Sequence, residues 1–275
     1  RTSRARSLLI PRPGEDTRSR EEDSPMESTA AALPPPAVAY RPILAVLRED
    51  LLARSQEPSV RAMLEAAWRK ESRAQRTADP FEVWCRGRAT QVAAAWVLSV
   101  VFVRTLEDRG YLARRRIAGE GADDSEHQFV SVTPFLSARD YLLMVFREVG
   151  RLPGAGEIFD ARHNPVWVFG PSAEAARKLI DFFRQVDERG ELKIRYEGAD
   201  TRFLGDLYQD LDEDVRSRYA LLQTPDFVEE FILGETLEPA IRTFGLKEVK
   251  LIDPTCGSGH FLLGAFHRLL AAWKD

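Results

Sequence analysis

From residue 92 to residue 103 the chain runs through Val, Ala, Trp, Leu and Phe with Ser99 as the sole interruption. A bilayer crossing needs about 20 apolar residues, so this run is too short to span one. A helix that is apolar all round belongs in the middle of a protein. The run sits inside a longer helical pattern that starts near Phe81, passes through Trp84, Trp96, Phe102 and Leu106, and stops at Asp108 before Gly110. Other helices must therefore cover it. Residues 43–53 and 60–72 carry apolar positions at three- and four-residue spacing and are the first candidates.

Further helices are expected over 135–149 and 203–219. Another is expected after Ser172, an N-cap followed by Glu174 in the first turn. Ala176, Leu179, Ile180, Phe183 and Val186 line one face of it, and Pro225 opens the next helix at a first-turn position. Residues 119–126 read as a loop of glycine and acid. The triplet Arg114-Arg115-Arg116 after Tyr111 reads as a solvated helix end, with phosphate contact as the functional alternative. No convincing strand precedes residue 245. The one strong candidate is 249–252, directly before Asp253, and a single strand cannot bury its own faces.

The flanks differ from this helical body. Residues 1–40 contain Pro34-Pro35-Pro36 within a mixture of Arg, Ser, Glu and Asp without periodicity. They read as a disordered or stiff extended leader, with a proline-rich peptide ligand as the alternative. The sequence begins at Arg1 and ends at Asp275, at the close of an amphipathic run. It is expected to be a piece of something longer, with Met26 as the native start. The net charge of −4 supplies no bulk positive field, so any nucleic-acid contact must come from a local patch or from parts outside this chain. Cys85 and Cys256 match no metal spacing and exclude a disulfide scaffold. With no signal peptide at the start, a reducing, cytoplasmic compartment is expected.

The segment that carries chemistry is Leu251-Ile252-Asp253-Pro254-Thr255-Cys256-Gly257-Ser258-Gly259-His260-Phe261-Leu262-Leu263. A short apolar strand leads into a turn of small residues, then into a helix bearing Phe261, Leu262, Ala265, Phe266, Leu269 and Leu270. That pattern is the first β-loop-α unit of a doubly wound α/β sheet, where ligands sit over the loop. A dinucleotide fingerprint would need glycine where Leu262 stands. Gly259 and Gly264 have the spacing of a P-loop, but Ala265-Phe266 replace its Lys-Ser/Thr, so a triphosphate has no lysine. S-adenosylmethionine fits better. Gly257 and Gly259 let the backbone approach it, the following helix start can receive its carboxylate, and Asp253 can accept from its ammonium group. The ribose-binding carboxylate of such sheets would fall past residue 275.

Asp253-Pro254-Thr255-Cys256-Gly257-Ser258-Gly259 resembles the cofactor loop of adenine-specific DNA methyltransferases. Ala220-Leu221-Leu222-Gln223-Thr224-Pro225-Asp226-Phe227-Val228 resembles the Thr-Pro block that precedes the loop in that family and flanks the cofactor. Thr224-Pro225 also places a hydroxyl at a helix start. The stretch from Trp96 through Arg104-Thr105-Leu106-Glu107-Asp108-Arg109-Gly110 resembles the helical N-terminal region of type I and type IIG restriction-modification methyltransferases. Together with Leu204-Gly205-Asp206-Leu207-Tyr208-Gln209-Asp210-Leu211, these blocks look most like the methyltransferases of phage-growth-limitation or bacteriophage-exclusion (BREX) defence, type 2 branch.

The resemblance implies a mainly α N-terminal helical domain, residues 41–200, followed by the opening of a Rossmann-like class I methyltransferase domain, residues 201–275. It implies S-adenosylmethionine as cofactor and Thr224, Pro225, Asp253, Pro254, Thr255, Cys256, Gly257, Ser258 and Gly259 as its contacts. It implies double-stranded DNA and other defence proteins as partners, an adenine flipped from the duplex, and no metal. The family's catalytic Asn-Pro-Pro-aromatic motif does not follow the loop here. The near match His163-Asn164-Pro165-Val166-Trp167 lacks the second proline, precedes the loop and reads as a turn. Catalytic residues are therefore expected outside this chain, and the chain alone is expected to be inactive.

Other residues are assigned to packing or solvent. Cys256 is expected to be buried in the turn, and Phe227 and Phe231 to lie in the core, with contact to the cofactor's adenine as the alternative for one of them. His260 and His267, a heptad apart, are expected on the surface, and Asp206 and Asp210 on a solvated helix face. An RNA base methyltransferase and a non-catalytic helical assembly module remain as alternatives.

Overall fold

The computed structural model describes residues 34–199, 203–211, 226–257 and 259–274. Helix α3, Phe81–Asp108, forms the axis of the larger part. Among the described residues it is the one helix long and apolar enough to cross a membrane. Here its neighbours cover it, and Trp96, Val97, Val100, Val101 and Val103 are fully buried. Helices α1 (Arg41–Arg54) and α2 (Pro58–Arg73) pack on it, each opened by a proline in the first turn. Helices α5 (Ala138–Val149) and α7 (Phe203–Leu211) also lie against it, and α6 (Ala173–Phe183) packs on α1 and α5.

One continuous core results, running from Tyr40 to Leu211. Trp96 stacks obliquely on Phe146 with ring centroids 5.6 Å apart and donates its Nε1 hydrogen to the carbonyl of Phe169. The core begins before Arg41: residues Ala37–Tyr40 form a 3-10 turn, and the Tyr40 hydroxyl meets that of Tyr196 at 2.7 Å, far away in sequence. Burial pushes both phenols well above their ordinary range, so both stay protonated.

Local departures from the sequence reading have physical causes. The glycine-acid stretch is not all loop, because helix α4, Ala122–Val132, starts within it. Gly121 at its N-cap takes a left-handed φ, and Asp123 and Asp124 sit in the first turn, where helix-start N–H groups favour acids. Helix α5 starts at Ala138 rather than at Phe135, which stays exposed, because Ser137 and Asp140 form a reciprocal capping box. Helix α6 does begin after Ser172, whose hydroxyl accepts from the Ala175 N–H, and it ends at Phe183, so Val186 lies outside its buried face. The expected helix over 203–219 is seen as α7 to Leu211, and its remainder lies outside the described residues.

The α5 cap gives a pH-dependent prediction. The Ser137 hydroxyl donates to the Asp140 carboxylate at 2.6 Å and holds that carboxyl below the usual range, with the Ser137 N–H adding to the effect against partial burial. A carboxyl depressed in the folded state stabilises fully above its unfolded pKa, near about 4, and loses that contribution as pH falls through the lower folded value. Ser137→Ala is expected to cost about 1 kcal/mol at neutral pH. In thermal unfolding of both proteins, that difference should shrink on moving to about pH 3, and a constant difference would refute it.

The C-terminal part has its own small core of Leu233, Leu237 and Ala265. Helices α8 (Asp226–Phe244) and α9 (His260–Lys274) form it, with Ile241, Val249, Phe261 and Leu269 packed around. They run parallel: Glu229 meets His260 near their starts, and Glu238 meets Arg268 further along. Parallel neighbours need a return segment, which residues 245–259 supply. The expected strand at 249–252 is not one. Residues 249–253 carry no regular secondary structure, and among the described residues no strand exists beyond an isolated bridge between Val186 and Leu192. A strand is defined by its ladder, and nothing described here pairs with this stretch. The described residues are thus mainly helical, and the expected Rossmann-like β-loop-α unit is not seen among them: two helices are joined by a return segment without a strand.

Candidate functional site

The loop between Asp253 and α9 is held by its own backbone chemistry. One carboxylate oxygen of Asp253, Oδ1, accepts from the Thr255 N–H at 3.0 Å, the local turn that aspartate makes readily. The Gly259 N–H donates to the Cys256 carbonyl at 2.7 Å, closing the bend, and the Leu263 N–H donates to Gly259 to begin the helix. Gly257 and Gly259 both have positive φ, at 54° and 85°. That is the left-handed region where a side chain is strained and glycine is free.

Three features leave this bend open to a ligand. A Cβ built on Gly259 would meet nothing within 4 Å, and one on Gly257 would meet only the Thr255 carbonyl at 3.8 Å. The second carboxylate oxygen of Asp253, Oδ2, is buried and has no hydrogen-bond partner among the described residues. Buried oxygens without partners are unusual and point to a missing donor. The first turn of α9, with its unsatisfied N–H groups, begins at once after Gly259. An acceptor, an uncovered backbone and a helix start together suit a compact ligand carrying both an ammonium and a carboxylate group.

The positions named from sequence divide as follows. Asp253, Pro254, Thr255, Cys256, Gly257 and Gly259 form this one turn. Thr224, Pro225 and Ser258 lie outside the described residues. Cys256 is exposed, not buried, because the turn projects from the helix pair and its small core lies further along. Phe227 and Phe231 are 73% and 67% exposed rather than core, since the buried face of α8 follows Glu229, Leu233 and Leu237 instead. His260 is not a surface residue, because its Nε2 lies 2.8 Å from Oε2 of the buried Glu229. The apolar stripe 233–237 continues back to an acid at 229, and that break in pattern was the signal available. Gly264 is the second residue missed: a Cβ there would fall 1.7 Å from Glu229 Oε1, so α9 approaches α8 closely only through glycine.

Two other places have partners within the helical part. Asn164 caps the 3-10 turn Pro165–Trp167, accepting from the Val166 N–H and donating to Ser99 and to the Ile158 carbonyl. Its amide is engaged by Ser99 of α3, by the irregular segment before it and by the turn it caps, as a turn residue's would be. Arg115 and Arg116 are drawn to Asp108 and Glu148. A cleft of about 560 Å³ lined by Phe244, Leu246 and Trp273 lies at the far ends of α8 and α9, away from the loop. No group of His, Cys, Asp and Glu suited to a metal occurs among the described residues.

Comparison with characterised proteins gives one clear relative. The chain is 44% identical over 226 residues to "Adenine-specific methyltransferase PglX" of Streptomyces coelicolor. The match takes in 77% of this chain but 19% of the relative, so the chain spans about a fifth of that protein's length. No protein-family model matches the chain. No solved structure matches it either.

Proposed function

Starting from the chain's homology to PglX over most of its length, we propose that it is the cofactor-entry part of an adenine-N6 DNA methyltransferase that uses S-adenosylmethionine. The carrying observation is the turn at 253–259, where a carboxylate oxygen that is buried and without a partner among the described residues, and two uncovered glycines, meet a helix start. When bound, S-adenosylmethionine supplies a methyl group on a sulfonium centre. Asp253 would hold the ammonium group of its amino-acid end through Oδ2. The N–H groups at the start of α9 would hold the carboxylate. Thr255 steadies Asp253 by donating its backbone N–H to the other oxygen. Thr224 and Pro225, at the approach to α8, are assigned to the cofactor's flank on the strength of the sequence blocks alone.

The chemistry on the base is assigned to parts of the protein outside this chain. Asn164, the near match to the catalytic motif, is committed to its cap and to Ser99. The proposed substrate is double-stranded DNA, the setting a cytoplasmic phage-defence system of the bacteriophage-exclusion type, and the partners other proteins of that system.

The test is methyl transfer from labelled S-adenosylmethionine. The full-length protein is expected to place label on adenine N6 in DNA, read by nucleoside mass spectrometry. Residues 1–275 alone are expected to transfer none. Label on RNA instead of DNA, or transfer by the isolated chain, would overturn the reading.

A further inference from the structure

Glu229 has no part in the site as described, yet it is 2% exposed and sits against the first residue of the helix that the loop enters. We infer that the Glu229–His260 pair is a latch that positions the ligand loop against the start of α8. This inference rests on the methyl-donor reading of that loop.

The placement is specific. Glu229 lies in the first turn of α8, directly after the Thr224-Pro225 block in sequence, and His260 directly follows Gly259. Their contact at 2.8 Å thus ties together the starting ends of the two elements to which the cofactor residues were assigned. Burying a carboxylate is unfavourable unless it is bonded, and the stripe that contains it continues as Leu233 and Leu237. Packing alone would be better served by a third leucine. Helix α9 carries two adaptations to this one carboxylate: His260 opposite it, and, one turn on, Gly264, whose missing side chain leaves room for Oε1. The carboxylate also lies beside the positive end of α9, which favours it.

The loop needs such a tether. Its described hydrogen bonds run from Thr255 to Asp253 and from Gly259 to Cys256, within the loop itself. Two glycines in the left-handed region give it freedom that a ligand would otherwise have to remove on binding. Fixing its end through His260 removes part of that freedom beforehand. Glu229 and His260 are therefore positioning residues and need not touch the ligand.

The experiment uses the full-length protein and titrates S-adenosylmethionine by calorimetry, with amide exchange of loop residues 255–263 followed in the absence of ligand. Glu229→Leu completes the apolar stripe and removes the latch. It is expected to keep the fold, to exchange faster in the loop than wild type, and to bind about tenfold more weakly. Glu229→Gln keeps the shape and a polar oxygen facing His260 but loses the charge, so it should fall between the Leu variant and wild type. Should Glu229→Leu fail to fold, His260→Leu against His260→Gln gives the same contrast from the more exposed partner. A folded Leu variant with wild-type loop exchange and wild-type affinity overturns the latch and leaves the methyl-donor reading standing. Absence of binding by the wild-type protein overturns both.

Discussion

Asp253→Ala in the full-length protein is expected to weaken S-adenosylmethionine binding by roughly ten- to a hundredfold or more, the range for losing a hydrogen bond between charged groups in a partly buried site. The substitution removes a buried side-chain oxygen that has no hydrogen-bond partner among the described residues, and also the anchor of the Thr255 N–H. Asp253→Asn separates the two effects. Its amide oxygen can still accept from Thr255 and keep the turn, but the charge is gone, so affinity should fall to an intermediate value. Calorimetric titration reads both. Unchanged affinity in the alanine variant would remove Asp253 from the site and with it the reason for placing the ligand at this bend.

The second large effect belongs to the helical part. Arg104 is fully buried, and its guanidinium donates to Glu107, to both oxygens of Asp108 and to the Ala118 carbonyl, at 2.7 to 3.0 Å. Glu107 in turn accepts from the Ile117 N–H, and Asp108 from Arg115 and the Tyr196 N–H. The cluster pins the irregular segment after α3 to the end of that helix. Arg104→Met leaves two buried carboxylates with, among the described residues, the partly exposed Arg115 as their remaining cation. Breaking one side of a buried ion pair costs about 3–5 kcal/mol, a large share of the roughly 5–15 kcal/mol that holds a domain together. Urea unfolding followed by circular dichroism should show it. Arg104→Lys should recover only part, because an ammonium cannot grip both oxygens of Asp108 as the planar fork does. A loss below about 1 kcal/mol would place the cluster among pairs that contribute little.

What was legible in the sequence follows from range. The course of α3, the cap at Ser172 and the turn at Asn164 depend on residues a few positions apart, and periodicity or capping chemistry reveals them. The capping box that delays α5 to Ala138 was equally local, since Ser137 and Asp140 stand three apart, but the apolar Phe135-Leu136 ahead of it masked the start. The spacing of Arg104, Glu107 and Asp108 is that of neighbours on one helix face, yet only the tertiary fold makes the face buried. The same holds at the candidate site. Gly257, Gly259 and Asp253 were readable because the turn is made by its own residues. Glu229 and Gly264 were not, because their meaning lies in a contact between helices 35 residues apart. The stretch at 249–252 looked like a strand because Val, Leu and Ile favour extended backbone, but a strand also requires a neighbour to bond with, and none of the described residues serves.

The hydroxyl contact between Tyr40 and Tyr196 joins positions 156 residues apart in the chain. It brings the entry of the helical body beside the segment that leads into α7, its last helix, which also packs against the 3-10 turn at Ala37–Tyr40. A body whose two ends meet can be excised, grafted into another polypeptide or circularly permuted with little disturbance. Joining the end of α7 to the start of the 3-10 turn with a short linker, and opening the chain at the exposed turn near Gly154, would therefore rearrange the order of the helices with little displacement.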